Sequence, residues 1–133
     1  MEQTYKMLLK DLISKNKILS DLLKNIPDKK LNHNVNGISG NSKNIKNDYI
    51  FVAIKGTQFN GSDFINEARE NGAFLIIANK SDNKDVISTN EISTRLVYTE
   101  LLASFYEKQP KEIIGVTGTN GKTSTVEFCR QLW

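Results

Sequence analysis

The residues best suited to chemistry lie near the end of the chain, in Gly118-Thr119-Asn120-Gly121-Lys122-Thr123-Ser124. Two glycines let backbone N–H groups converge on an anion with no Cβ in the way. Lys122 offers an ammonium to the β- and γ-phosphates of a nucleotide, and Thr123 offers a hydroxyl to Mg²⁺. An apolar stretch, Glu112–Val116, enters the loop as a strand. An amphipathic segment with Val126, Phe128 and Leu132 leaves it as a helix whose positive dipole end faces the same anion. The spacing satisfies Gly-x-x-Gly-Lys-[Ser/Thr] but not the longer G-x-x-x-x-G-K-[ST], because Val116 stands where that pattern needs glycine. The bland alternative is a Gly-rich turn; the strand–loop–helix setting favours phosphate.

A second set of polar and glycine residues precedes it. Asn36-Gly37-Ile38-Ser39-Gly40-Asn41-Ser42-Lys43 and the loop Lys55-Gly56-Thr57-Gln58-Phe59-Asn60-Gly61 flank an apolar run, Tyr49–Ile54. Ser42 is a compact donor and acceptor. Taken alone, these segments read as a turn at Asn41-Ser42 and a solvated loop residue at Gln58.

Elements able to hold these residues are visible in the hydrophobic pattern. Leu8, Leu9, Leu12 and Ile13, then Ile18, Leu19, Leu22 and Leu23, mark two core-facing helical stripes with a break at Asn16. Asn25–Asn36, with Pro27, reads as a connection. Tyr49–Ile54 and Ala73–Ala78 are continuous apolar runs of strand length, as in a sheet covered on both faces. Between them, Ser62 or Asp63 is expected to cap a helix through about Asn71, with Phe64, Ile65 and Ala68 on one face and Gly72 as its stop. Strand, helix, strand in this order predicts a parallel βαβ unit. Val86-Ile87 and Arg95–Tyr98 are short strand candidates, and Thr99 is expected to open a helix ending before Gln109-Pro110. The predicted fold class is α/β: a mixed or parallel sheet with flanking helices, followed by the strand–loop–helix opening of a second, truncated domain. Pro110 is the predicted boundary, giving domains 1–110 and 111–133.

Composition narrows the function classes. The chain has 133 residues, 38% apolar and 25% charged, enough for a core and too apolar for a disordered tail. Its longest apolar runs are six residues, far below the ~20 that span a bilayer. The N-terminus lacks a signal pattern, so a cytoplasmic location without membrane insertion is expected. One cysteine (Cys129) and one histidine (His33) exclude a disulfide framework and a Cys/His zinc site. Net charge is only +3, with 15 lysines scattered among acids and 3 arginines, which argues against a nucleic-acid partner. The 15 asparagines and 14 isoleucines, with the lysines, suggest an A/T-rich genome.

Thr117–Ser124 resembles the ATP-binding loop of the Mur ligases, which build the peptide of bacterial peptidoglycan. Upstream, Asn41-Ser42-Lys43, Asp48–Gly56, Asn60–Ile65, Ala68 and Gly72-Ala73 are similar to the pattern of that family's N-terminal domain. The likeness runs from about Val35 to Trp133 and is nearest to the diaminopimelate-adding members, which the ending Thr123–Trp133 also resembles. It implies that residues 1–110 bind the UDP end of a UDP-MurNAc-dipeptide, with Gly40, Ser42, Thr57, Gln58 and Phe59 around the nucleotide. Gly118, Thr119, Asn120, Gly121, Lys122, Thr123 and Ser124 would then hold ATP, with Thr123 on Mg²⁺ and Lys122 as the catalytic residue that steadies the transferring phosphoryl group. The implied reaction joins meso-diaminopimelate to UDP-MurNAc-L-Ala-D-Glu through an acyl phosphate, a step in cell-wall biogenesis on which cell shape and division depend. Where the family usually has Asp-Ser-Arg, this chain has Asn41-Ser42-Lys43, and Lys43 lacks the guanidinium fork.

The chain ends eleven residues after Lys122, so it is read as an N-terminal fragment expected to have no ligase activity alone. ATP-dependent tripeptide formation by the purified 133-residue chain would contradict that. Its last helix would expose Val126, Phe128, Leu132 and Trp133, and that end is expected to fray or associate. Three alternatives stay open: the sister ligase adding D-Ala-D-Ala, a non-catalytic UDP-sugar-binding module with a vestigial loop, and a small P-loop kinase. Thr119-Asn120 favours the tripeptide-forming members over the sister ligase, and the loop's late position disfavours the kinase.

Overall fold

In the computed structural model, which describes residues 5–108 and 110–132, the two continuous apolar runs are neighbouring strands. The elements are β1 (Met7–Leu8), α1 (Leu9–Ser14), α2 (Lys17–Leu22), α3 (Asp28–Leu31), β2 (Asn34–Val35), β3 (Gly37–Ser39), β4 (Tyr49–Ala53), α4 (Ile65–Glu70), β5 (Ala73–Ala78), β6 (Val86–Ser88), α5 (Thr94–Phe105) and α6 (Lys122–Leu132). Single 3-10 turns occupy Ser42–Asn44 and Gly61–Phe64. Strands β3-β4-β5-β6 lie in that order, all parallel, with Ile38 opposite Ile50, Phe51 opposite Ile76 and Ile77 opposite Ile87. A two-residue antiparallel pair joins β1 to β2.

Alternation along the strands explains their unbroken hydrophobicity. Ile50, Val52, Leu75 and Ile77 face a core completed by Leu9, Leu12, Leu19, Val97, Leu101 and Phe105 from α1, α2 and α5. Phe51, Ala53, Ile76 and Ala78 face the other way, onto Ala68 of α4, Ile45 and Val86. Both faces are covered, so β4 and β5 carry no charged or strongly polar position. Among the described residues, no helix is long and apolar enough to cross a membrane.

Asn16 breaks the N-terminal stripe as expected, and its side-chain oxygen accepts from the Ile18 and Leu19 amides (2.8 and 3.3 Å) to cap α2. Its amide also donates to Glu100 of α5. Asn16→Ala is expected to cost about 1 kcal/mol, the usual value of a helix cap, as a lower urea midpoint with unchanged slope.

Five expectations are corrected. Arg95–Tyr98 is not a strand, and the helix opens at Thr94, not Thr99. Leu96-Val97-Tyr98 has local β character, yet Thr94, Val97, Leu101, Ser104 and Phe105 are the buried positions, and their spacing is helical. Neither Ser62 nor Asp63 caps the helix between β4 and β5: α4 follows Phe64 with no side-chain cap, and Asn60 instead caps the 3-10 turn before it. The Asn60 side-chain oxygen accepts from the Ser62 amide (3.2 Å). Gly72 ends the helix as expected, at φ +103°. The Asn25–Asn36 connection carries the one-turn helix α3 and the strand β2. Finally, Glu112–Val116 forms no strand, because no described segment pairs with it; Ile113 and Ile114 are 78% and 60% exposed. The last helix does form, as α6, with no buried residue; Val126, Phe128 and Leu132 are exposed, and Trp133 lies outside the described residues.

Candidate functional site

The carboxyl ends of parallel strands are where an α/β sheet offers loops and unpaired backbone to a ligand. Here the segments following β3 and β4 enclose a cleft of about 650 Å³. Gly40 and Ser42 from the first and Thr57, Gln58 and Phe59 from the second line it together, with Ile54 and Phe64 as apolar wall. All five residues predicted from sequence therefore meet in one cavity.

Each wall has a local cause. Ser39 closes a tight turn: its hydroxyl donates to the Asn41 carbonyl and accepts from the Asn41 amide, both at 3.0 Å. Asn41 caps the following 3-10 turn by accepting from the Lys43 amide at 3.0 Å. That role needs only a side-chain carbonyl oxygen, which Asn41 supplies. Ser42 is 5% exposed, and its hydroxyl donates to the carboxylate of Glu67 on α4. Lys43 is exposed on the rim.

The second wall is a small hairpin. Lys55 bridges Asn60 in antiparallel fashion, and the Gly56 amide donates to the Phe59 carbonyl (2.9 Å), which puts Thr57 and Gln58 at the tip. Phe59 is 68% exposed and meets Phe64 edge-on, ring centres 6.4 Å apart. An exposed aromatic beside a cleft is a platform for a planar ring. The hairpin closes where the Gly61 amide donates to the Ile54 carbonyl at 3.0 Å.

Sequence reasoning missed Glu67, Ile54 and Phe64. Glu67 lies 25 residues from Ser42, and nothing in the local pattern links them. Phe64 was read as a helix-face residue, although its aromatic character and closeness to Phe59 could have suggested a wall.

The glycine loop is separate: among the described residues, none of Gly118–Ser124 lines the cleft. Gly121 has φ +75°, a conformation that disfavours any other residue, and beyond its own chain neighbours nothing lies within 4 Å of where its Cβ would be. Lys122 folds back so that its ammonium donates to the Gly118 carbonyl, and the Thr125 amide and hydroxyl both reach the Gly121 carbonyl at 2.9 Å. The positive group, the open glycine backbone and the start of α6 thus share one small region, which fits a phosphate. Among the described residues no group of three or more His, Cys, Asp or Glu could hold a metal ion. Farther along α6, Arg130 donates twice to Glu127 (2.6 and 3.0 Å) and holds that carboxyl below its ordinary value.

A family model described as Mur ligase family, catalytic domain, matches residues 34–105, more than half of the chain, from β2 to the end of α5. Two curated relatives are UDP-N-acetylmuramoyl-L-alanyl-D-glutamate–2,6-diaminopimelate ligases. That of Rickettsia prowazekii (strain Madrid E) is 44% identical over 105 residues, covering 77% of this chain and 22% of the relative. The second ligase of that name in Clostridium acetobutylicum is 39% identical over 107 residues, with coverages of 77% and 22%. The chain therefore spans about a fifth of the length of these relatives. Among solved structures, MurF ligase from Thermotoga maritima in complex with ADP is 34% identical, with a TM-score of 0.50, covering 66% of this chain and 21% of that one. MurF from Acinetobacter baumannii, at 17% identity and TM-score 0.55, covers 76% and 21% and shares the fold.

Proposed function

Because the chain belongs to the Mur ligase family, we propose that it is the part of a cytoplasmic, ATP-dependent peptidoglycan-precursor ligase that grips the UDP end of the substrate and opens the ATP site. Residues 1–110 form the UDP-substrate-binding domain and residues 111–133 begin the ATP-binding domain. The reaction is addition of meso-diaminopimelate to UDP-MurNAc-L-Ala-D-Glu, the activity named for curated relatives at 39–44% identity. One observation carries the proposal: Gly40, Ser42, Thr57, Gln58 and Phe59, drawn from two loops, line a single cleft at the carboxyl edge of the sheet.

Within the cleft, Phe59 gives the base a stacking face, Gly40 lets it approach the backbone, and Ser42, Thr57 and Gln58 supply polar contacts. ATP, when bound, supplies the phosphoryl group that activates the substrate carboxylate. Toward it, the amides at Gly118–Gly121 and the start of α6 hold phosphate oxygens, and Lys122 offsets their charge. Thr123 gives a hydroxyl to Mg²⁺. A second reading, the sister ligase adding D-Ala-D-Ala, is favoured by the likeness to MurF ligase from Thermotoga maritima. Both readings require the same uridine cleft.

Isothermal titration of UDP into the 133-residue chain tests the cleft. A single site is expected, weakened about tenfold by Phe59→Ala through loss of base stacking, worth roughly 1–3 kcal/mol. Absence of UDP binding at millimolar concentration would overturn the proposal.

A further inference from the structure

The hydroxyl of Ser42 has one hydrogen and two lone pairs, so what it offers a ligand depends on where its hydrogen goes. That hydrogen is committed to Glu67, since a carboxylate only accepts. The commitment is fixed from two sides. Asn71, four residues after Glu67 at the end of α4, donates from Nδ2 to the Ser42 carbonyl at 3.0 Å. Two side chains of one helical turn thus hold both oxygens of Ser42. At 5% exposure, Ser42 has little water to compete for its hydroxyl. The Ile45 amide also donates to the Ser42 carbonyl (3.2 Å), pinning the backbone.

We infer that Glu67 sets the base specificity of the cleft: by taking the Ser42 proton, it leaves Ser42 Oγ as a pure acceptor toward the ligand. An acceptor selects a base edge that donates, such as the imide N3–H of uracil. It disfavours an edge that accepts, such as N3 of cytosine, where two lone pairs would face each other in a nearly water-free corner. The charged partner also polarises the hydroxyl and strengthens it as an acceptor. Glu67 acts through Ser42 and is a positioning residue. The inference rests on the cleft being a uridine-nucleotide site.

The test is titration of UDP and of CDP into the wild-type chain, Glu67→Gln, Ser42→Ala and Asn71→Ala, with circular dichroism confirming the fold. The wild-type chain is expected to prefer UDP over CDP about tenfold or more, the equivalent of about 1.4 kcal/mol. In Glu67→Gln the carboxamide can donate as well as accept, so the hydroxyl is free to turn and the preference should fall to within about threefold. Ser42→Ala should lose the preference similarly, so either variant carries the test if the other does not fold. Asn71→Ala, which touches only the backbone carbonyl, should weaken both ligands together and keep their ratio. Failure of the wild-type chain to bind either nucleotide would sink the uridine reading itself. Equal binding of UDP and CDP, or a ratio unmoved by Glu67→Gln, would sink the role of Glu67 and leave the uridine reading standing.

Discussion

Gly61→Ala is expected to lower the unfolding free energy by about 3 kcal/mol and to abolish nucleotide binding in the cleft. A Cβ at this position would lie 2.5 Å from the Ile54 amide nitrogen and 2.6 Å from both the Ala53 carbonyl carbon and the Ile54 carbonyl oxygen. All three atoms are backbone at the end of β4, in the middle of the sheet, so no flexible side chain can yield. Relief must come from moving the strand end or the 3-10 turn. Either movement stretches the 3.0 Å hydrogen bond from the Gly61 amide to the Ile54 carbonyl that closes the hairpin. Overpacking of a rigid site costs about 1–3 kcal/mol, and the strained hydrogen bond adds about 1. For a chain of this size, the thermal midpoint should drop by about 10 °C. The binding loss follows from geometry: Ile54 and Gly61 are both walls of the cleft, and the hairpin between them carries Thr57, Gln58 and Phe59. A melt showing Gly61→Ala within 1 kcal/mol of wild type, with UDP affinity intact, would refute the close approach as the reason for glycine.

How much was legible in the sequence depended on whether a feature was local. Tyr49–Ala53 and Ala73–Ala78 were readable because a strand covered on both faces has no polar positions to interrupt it. Asn16 was readable as a break because its side chain caps the residues immediately after it. The start of α5 was misread because Leu96-Val97-Tyr98 has strand character over three residues, whereas its helical period shows only across Thr94–Phe105. Glu112–Val116 was misread for the opposite reason. Its composition suits a strand, but a strand exists only beside a partner, and no described segment supplies one. The cleft divides the same way. Ser42 and Thr57-Gln58-Phe59 were found by resemblance, since their loop setting alone reads as a turn and a solvated loop, while Glu67 reaches Ser42 only once α4 packs against the turn after β3.

Lys122→Gln is expected to weaken binding of Mg·ATP on the order of thirtyfold while leaving the melting temperature and UDP affinity unchanged. A charge-assisted hydrogen bond is worth about 1.5–3 kcal/mol, which brackets that factor. Selectivity of the effect follows from where Lys122 sits. Helix α6 buries none of its residues, so the substitution removes no core contact. The lysine's one partner among the described residues is the Gly118 carbonyl within its own loop, and it does not line the cleft beside β3 and β4. Gln keeps much of the side-chain length and helix propensity, so the loss is assigned to charge. Raising salt should narrow the gap between wild type and variant, because the removed attraction is exposed and screened. Titration of Mg·ATP into both chains at low and moderate salt decides the matter. A vestigial loop would bind ATP equally weakly in both, leaving a UDP-binding module; a gap that shrinks with salt at constant UDP affinity identifies Lys122 as a phosphate-binding cation.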